Sequence, residues 1–266
     1  MTPSMKQFDK LHILGLPGLG IPAAAPRLAR DGGPYTFRNK TANFNVFYEN
    51  GLGDNGPVLA DGVLASCEAE YAQLQGLFGG IVPAGLPMSV YVVAGDFGAY
   101  HATCAATEMH CAAFDGSNVD LVRMLVVAEE VEVFSAAQGG WNCGASTGEG
   151  LSRVLATLLY PSQLNGFTSA ASWLDTPDRP DFVNNTDPTD QNYVSIGCAV
   201  LYLNWLQTQL GFSWSQIIAA GGPTLAATYT NLTGNPDGLT PFATLLAGAF
   251  AVGTPSGVTT DNPFPL

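Results

Sequence analysis

Five consecutive residues inside an otherwise apolar stretch hold most of the chemistry in this sequence: Ala128-Glu129-Glu130-Val131-Glu132. The surrounding run from Leu121 to Phe134 is apolar almost all round, so a helix there is a buried one. At about 100° per residue, Ala128, Glu129 and Glu132 share a face, and Glu130 points well away from Glu132. Desolvating carboxylates is costly and demands a metal, a hydrogen-bond network, protonation or a water-filled cleft. Glu149 stands seventeen residues beyond Glu132, in Gly148-Glu149-Gly150-Leu151-Ser152-Arg153. An antiparallel helix hairpin across the intervening Gly-rich loop returns Glu149 to the face of Glu129 and Glu132, so three carboxylates converge. The alternative makes Glu149 a first-turn residue favoured by the helix dipole, with Glu129 or Glu132 paired to Arg123 or Arg153.

The elements that must position these groups follow from periodicity and turn chemistry. Phe44, Val46 and Tyr48 alternate within 42–49, which predicts a strand. Val63, Cys67, Tyr71, Leu74 and Phe78 recur at helical steps and predict a helix over 58–78. Met88 to Val93 reads as a short strand, with further extended pieces near 99–102 and 109–114. Ser117 or Asn118 caps the acidic helix, expected over 119–138, with Asp120 in its first turn. Gly139-Gly140 ends it. A second helix is expected over 147–160, stopped by Pro161, and helices at 192–210, 213–220, 225–232 and 241–251 follow. The fold class is therefore α+β, with a mixed sheet and long helices in the N-terminal half and a mostly α-helical C-terminal half. Domain boundaries are expected at an irregular arm over 1–41, an α+β subdomain over 42–160 and a mostly helical subdomain over 161–266.

This order of strands, a buried helix with a five-residue acidic motif, and a next helix opening on Gly-Glu resembles the zincin-like metallopeptidases of the gluzincin type, over about residues 42–250. In that family the buried helix carries His-Glu-x-x-His, both His bind zinc, the Glu is general base, and a Glu on the following helix is the third ligand. The resemblance puts Glu129 at the general base, Glu132 in place of the second His and Glu149 at the third ligand. Ala128 stands where the first His belongs and cannot hold a metal. Glu132 and Glu149 are thus the candidate metal ligands, for a divalent ion held weakly or none at all. Arg153 replaces the family's acidic partner and is placed to neutralise Glu149. Tyr193, before a helix in the helical half, matches the oxyanion-stabilising Tyr and joins Glu129 and Glu132 as a candidate catalytic residue. The implied function is a zincin-like protein with a degenerate metal site, not an ordinary zinc peptidase, that keeps a carboxylate-lined cleft for a peptide, glycan or small-molecule ligand. The alternative is an active hydrolase, peptidase or glycosidase, using Glu129, Glu132 and Glu149 with an atypical metal or without one.

Other groups compete for attention. His101 and His110 could supply an imidazole from the edge-strand region, and His12 lies in the arm. Ser146 is not a nucleophile elbow, because no His follows it and a Ser-His-Asp triad in hydrolase order is excluded. Cys143 needs His101 or His110 to approach in space before it could act as a nucleophile. The Asp-rich stretch 175–190 is dense in oxygen ligands but has no EF-hand spacing. Cys104 and Cys111 could close a hairpin in an oxidising environment, the other reading being that all five Cys are small buried apolar residues.

Composition limits partners and compartment. Nine Lys and Arg against 22 Asp and Glu give a net charge of −13, which disfavours nucleic acid and anionic lipid. Charged residues are 12% and apolar ones 47% of the 266-residue chain, enough for a large core and unlike a disordered tail or a coiled coil. No apolar run approaches the ~20 residues needed to span a bilayer, so a soluble chain is expected. Scarce Lys and Asn/Thr/Gly loops suit an exported bacterial protein, although no secretion signal is visible.

Overall fold

A computed structural model describes residues 34–95, 98–114, 118–166, 168–189 and 191–266. Of the arm expected over residues 1–41, residues 1–33, with His12, lie outside the described residues. Among the described residues, five strands form one mixed sheet: β1 (Tyr35–Lys40), β2 (Phe44–Glu49), β3 (Met88–Val93), β4 (Ala99–His101) and β5 (Glu108–Ala112), in spatial order β1-β2-β3-β5-β4. The central pairs β2–β3 and β3–β5 are parallel, and both edge strands, β1 and β4, run antiparallel to their neighbours.

Strand β1 occupies a stretch the sequence assigned to the irregular arm. Its residues Phe37 to Lys40 are exposed, and only Tyr35 and Phe37 turn apolar side chains to the sheet's aromatic face, too short an alternation to mark a strand. Pairing to β2 and the forked contact of Arg38 with Asp61, both N···O distances 2.6 Å, hold it at the edge.

The described residues also form eight α-helices: α1 (Asn55–Leu77), α2 (Val119–Gln138), α3 (Ser146–Leu159), α4 (Ala170–Leu174), α5 (Tyr193–Asn204), α6 (Trp214–Ala219), α7 (Leu225–Thr233) and α8 (Leu239–Ala249). The expected bounds of α2 are matched, and the cap is Asn118, whose side chain accepts from the Leu121 N–H. Gly139, at φ 80°, then turns the chain out of the helix. Helix α5 widens at its exit into a π-helical turn over Trp205–Gln209, where the Leu210 N–H donates to the Trp205 carbonyl, inside the single helix expected there. Helix α4 was not anticipated: five residues are too few to show a period.

The main core joins Phe44, Val46, Met88, Val90 and Met109 of the sheet to the buried faces of the helices. Helix α2 lies at its centre, packed on α1 and on α3, and α3 packs in turn on α5. The opposite sheet face carries Phe47, Tyr91 and Val93 as a separate apolar cluster. There Phe37, Phe47, Tyr91, His110 and Tyr100 stack across all five strands in spatial order, with centroid separations of 5.3, 4.6, 4.8 and 4.9 Å.

Candidate functional site

Strand register decides which histidine meets the acids. His101 pairs with Met109 and Tyr100 with His110, so successive residues of β4 face opposite sides of the sheet. His110 therefore belongs to the aromatic ladder, stacked between Tyr91 and Tyr100, with Glu108 Oε1 at 3.3 Å from its Nε2. His101 lies on the α2 side. Its Nε2 is 3.0 Å from Glu132 Oε2 and its Nδ1 is 3.8 Å from Glu129 Oε2, with all three side chains at most 8% exposed. One imidazole thus sits between two carboxylates of the same helix face, the pair expected from their spacing.

Glu149 takes a different partner. Its Oε1 accepts from Arg153 Nε at 2.6 Å, an i,i+4 pair on α3 that is nearly inaccessible to solvent. Gly148 and Gly150 make this depth possible. A Cβ on Gly148 would stand 2.0 Å from the Asn142 carbonyl oxygen, and one on Gly150 2.6 Å from the Ala199 Cβ. Tyr193, first residue of α5, lies under the same guanidinium, whose Cζ is 5.9 Å from the ring centroid. Glu129 and Glu149 border a common cavity of about 20 Å³, with Ala128, Gly98, Ala99 and Arg153 among its walls. That is room for about one water. Glu132 is not among those walls, so the expected trio is divided: Glu132 turns to His101, Glu149 to Arg153, and Glu129 borders both. Arg123 plays no part, bonding instead to Asp120 and the Gly62 carbonyl.

Glu130 confirms the helical-face argument from the other side. It is fully buried with neither carboxylate oxygen hydrogen-bonded, and burial, reinforced by the negative charges of Glu70 and Glu68, pushes its pKa well above the carboxylate range. Protonation is therefore the compensation at this position. Burial likewise lifts Glu70 to about 7, where it accepts from the Tyr160 hydroxyl.

The cysteines depart from the expected pairing. Cys104 forms a disulfide with Cys143, while Cys111, like Cys67 and Cys198, is a free buried thiol. The hairpin arrangement fails because Cys111 lies on the core face of β5 and Cys104 in the loop beyond β4. The disulfide carries Cys143 Sγ to 3.9 Å from His101 Nε2, so a nucleophilic thiolate is absent from the oxidised protein. Ser146 is buried at the start of α3 and accepts from the Asp187 N–H.

In the Asp-rich stretch three of the described carboxylates accept hydrogen bonds from protein groups. Asp181 accepts from the Val183 and Asn184 N–H groups, Asp175 from the Ser256 N–H and Asp187 from the Asn192 side chain. Of the tryptophans, Trp141, Trp173 and Trp205 are buried core residues, as packing roles require.

The zinc site implied by the gluzincin resemblance does not fit these residues. Ala128 offers no donor, and the buried bond from Arg153 occupies Glu149 with a fixed positive charge. What signal could have disclosed His101 and Cys143 was present but ambiguous, since two histidines and five cysteines offered several combinations. No family model, curated protein or solved structure matches the chain.

Proposed function

We propose that the chain is a zincin-like protein that does not act as a zinc peptidase and that uses the His101–Glu129–Glu132 group to bind a small cationic ligand or the cationic tip of a larger one. The observation that carries this reading is the buried Glu149–Arg153 pair, because it neutralises the carboxylate that would otherwise complete a metal centre. The order of a mixed sheet with an antiparallel edge strand, a buried acidic helix and a hairpin partner supports the zincin-like half, followed by a mostly helical half. Two carboxylates around one imidazole leave the site acidic, as does a net charge of −13, so positive ligands are attracted and anions repelled. The cavity that Glu129 borders together with Glu149 and Arg153 admits about one water, so the space beside Glu129 suits an ion-sized group better than a sugar ring or a folded-in peptide.

Titration calorimetry with trilysine and triglutamate tests the binding reading. Trilysine is expected to bind, and to lose affinity in Glu129→Gln and Glu132→Gln; equal behaviour of the two peptides overturns it. Assays on casein and polysaccharide panels, with and without added zinc, are expected to show no turnover. The hydrolase reading draws on His101 standing between two carboxylates as an acid–base set, and turnover abolished by Glu129→Gln would establish it instead.

A further inference from the structure

The disulfide holds a potential metal ligand in check. Cys143 Sγ, His101 Nε2 and Glu132 Oε2 lie within 4.8 Å of one another, on three separate segments: the loop before α3, strand β4 and helix α2. In a tetrahedral zinc site with bonds of about 2.0–2.3 Å, neighbouring donor atoms are about 3.3–3.7 Å apart. The observed 3.0 Å from His101 to Glu132 and 3.9 Å from His101 to Cys143 bracket that spacing. Behind the imidazole, Glu129 Oε2 faces Nδ1 at 3.8 Å, the position of the carboxylate that orients a metal-bound histidine from its second nitrogen. A sulfur bonded to another sulfur cannot donate as a thiolate, so the oxidised protein has only two of the three donors.

We propose that Cys104–Cys143 is a redox gate on a zinc-type metal site formed by His101, Glu132 and Cys143. A thiol or phosphine reductant cleaves the Sγ–Sγ bond, giving two protein thiols and the oxidised reductant; a phosphine takes its oxygen from water. Cys143 then releases its proton to solvent as its thiolate bonds the cation, while Cys104 remains a thiol. Cys104 is the more accessible partner, partly buried in the loop after β4, whereas Cys143 is buried beside His101. A thiolate, an imidazole and a carboxylate select Zn²⁺ or Co²⁺ over Ca²⁺ and Mg²⁺. Such a cation would also offset the two buried carboxylates around His101. The site keeps only Glu132 of the ligand positions of the zincin motif, taking His101 and Cys143 from outside it, and does not depend on the binding function proposed above, although it shares His101 and Glu132 with that function.

Cobalt titration of the full chain tests the gate, in anaerobic buffer with a phosphine reductant and without it. The reduced protein is expected to bind one Co²⁺ with a thiolate-to-cobalt charge-transfer band, displaced by Zn²⁺, and at least about tenfold more tightly than the oxidised protein. Cys143→Ser should remove the band, and Glu129→Gln should weaken binding by about 10–100-fold without removing it. Cys104→Ser should bind without any reductant, because its Cys143 is already a thiol. Equal affinity in both redox states, a band that survives in Cys143→Ser, or no band in the reduced protein overturns the proposal. So does loss of the native circular dichroism spectrum on reduction, since the gate requires a folded reduced state. Proteolysis of casein in any arm would refute the non-peptidase reading and leave this inference standing.

Discussion

The reading of Glu149 as a structural group rather than a ligand rests on Arg153, and replacing that arginine with methionine tests it directly. The pair is made at 2.6 Å, with side-chain exposures of 5% and 2%. With charge centres about 4 Å apart, an effective dielectric near 20 gives an attraction of about 4 kcal/mol. Breaking a buried pair by removing one partner costs about 3–5 kcal/mol, because the other charge is left desolvated. Arg153→Met also loses the guanidinium above Tyr193, a contribution of about 0.5–1 kcal/mol. Urea unfolding followed by tryptophan fluorescence is therefore expected to show Arg153→Met destabilised by about 3–5 kcal/mol. The double variant Glu149→Leu/Arg153→Met should recover most of that loss, since a buried ion pair is often matched by apolar residues of similar volume. Chelator should leave the unfolding midpoint of the oxidised wild type unchanged, as a protein without a bound metal has no linkage term to lose. A loss below about 1 kcal/mol in the single variant, or a double variant no better than the single, would refute the assignment.

Glu70→Gln should stabilise the protein near pH 8 and not near pH 4. Because its carboxyl is raised from 4.5 to about 7 by burial, the wild type is favoured while Glu70 keeps its proton and loses up to about 3 kcal/mol as pH rises through that window. Urea midpoints at the two pH values check this, and a gain of equal size at both would count against it. Gly148→Ala should cost about 1–3 kcal/mol, since its Cβ meets a backbone carbonyl that cannot yield without moving the Asn142–Cys143 loop. Glu130→Gln, measured the same way, should lose little near pH 4 and gain stability as pH rises, since it keeps fixed the neutral state that burial already imposes on the carboxyl. Removing the disulfide in Cys104→Ser/Cys143→Ser should cost about 4 kcal/mol by loop-closure entropy over a separation of 39 residues, read from thermal or urea unfolding.

Much of the local structure was legible because it depends on neighbours in sequence. The period of Phe44, Val46 and Tyr48 predicts β2, and Asn118 with Asp120 predicts the start of α2. Where side chains lack contrast the signal vanishes: β1 has no buried face, and α4 is shorter than two turns. At the site, placing Glu129 and Glu132 on one face and Glu130 on another required only helical geometry, and both follow in the structure. The chemistry of each partner was less accessible, because it depends on which distant segment arrives opposite.

Sequence alone determined the shared face of Glu129 and Glu132 on α2 and the place of Arg153 four residues after Glu149 on α3. These are consequences of a backbone period that every residue of a helix shares. Tertiary structure decided that Glu149 turns to Arg153, that His101 and not His110 meets the carboxylates, and that Cys104 closes on Cys143. Those outcomes rest on the register between β4 and β5 and on the packing of α2 against α3. A one-residue slip of β4 along β5 carries His101 to the face of His110 and away from the acids, and nothing in the local pattern of a three-residue strand fixes that register.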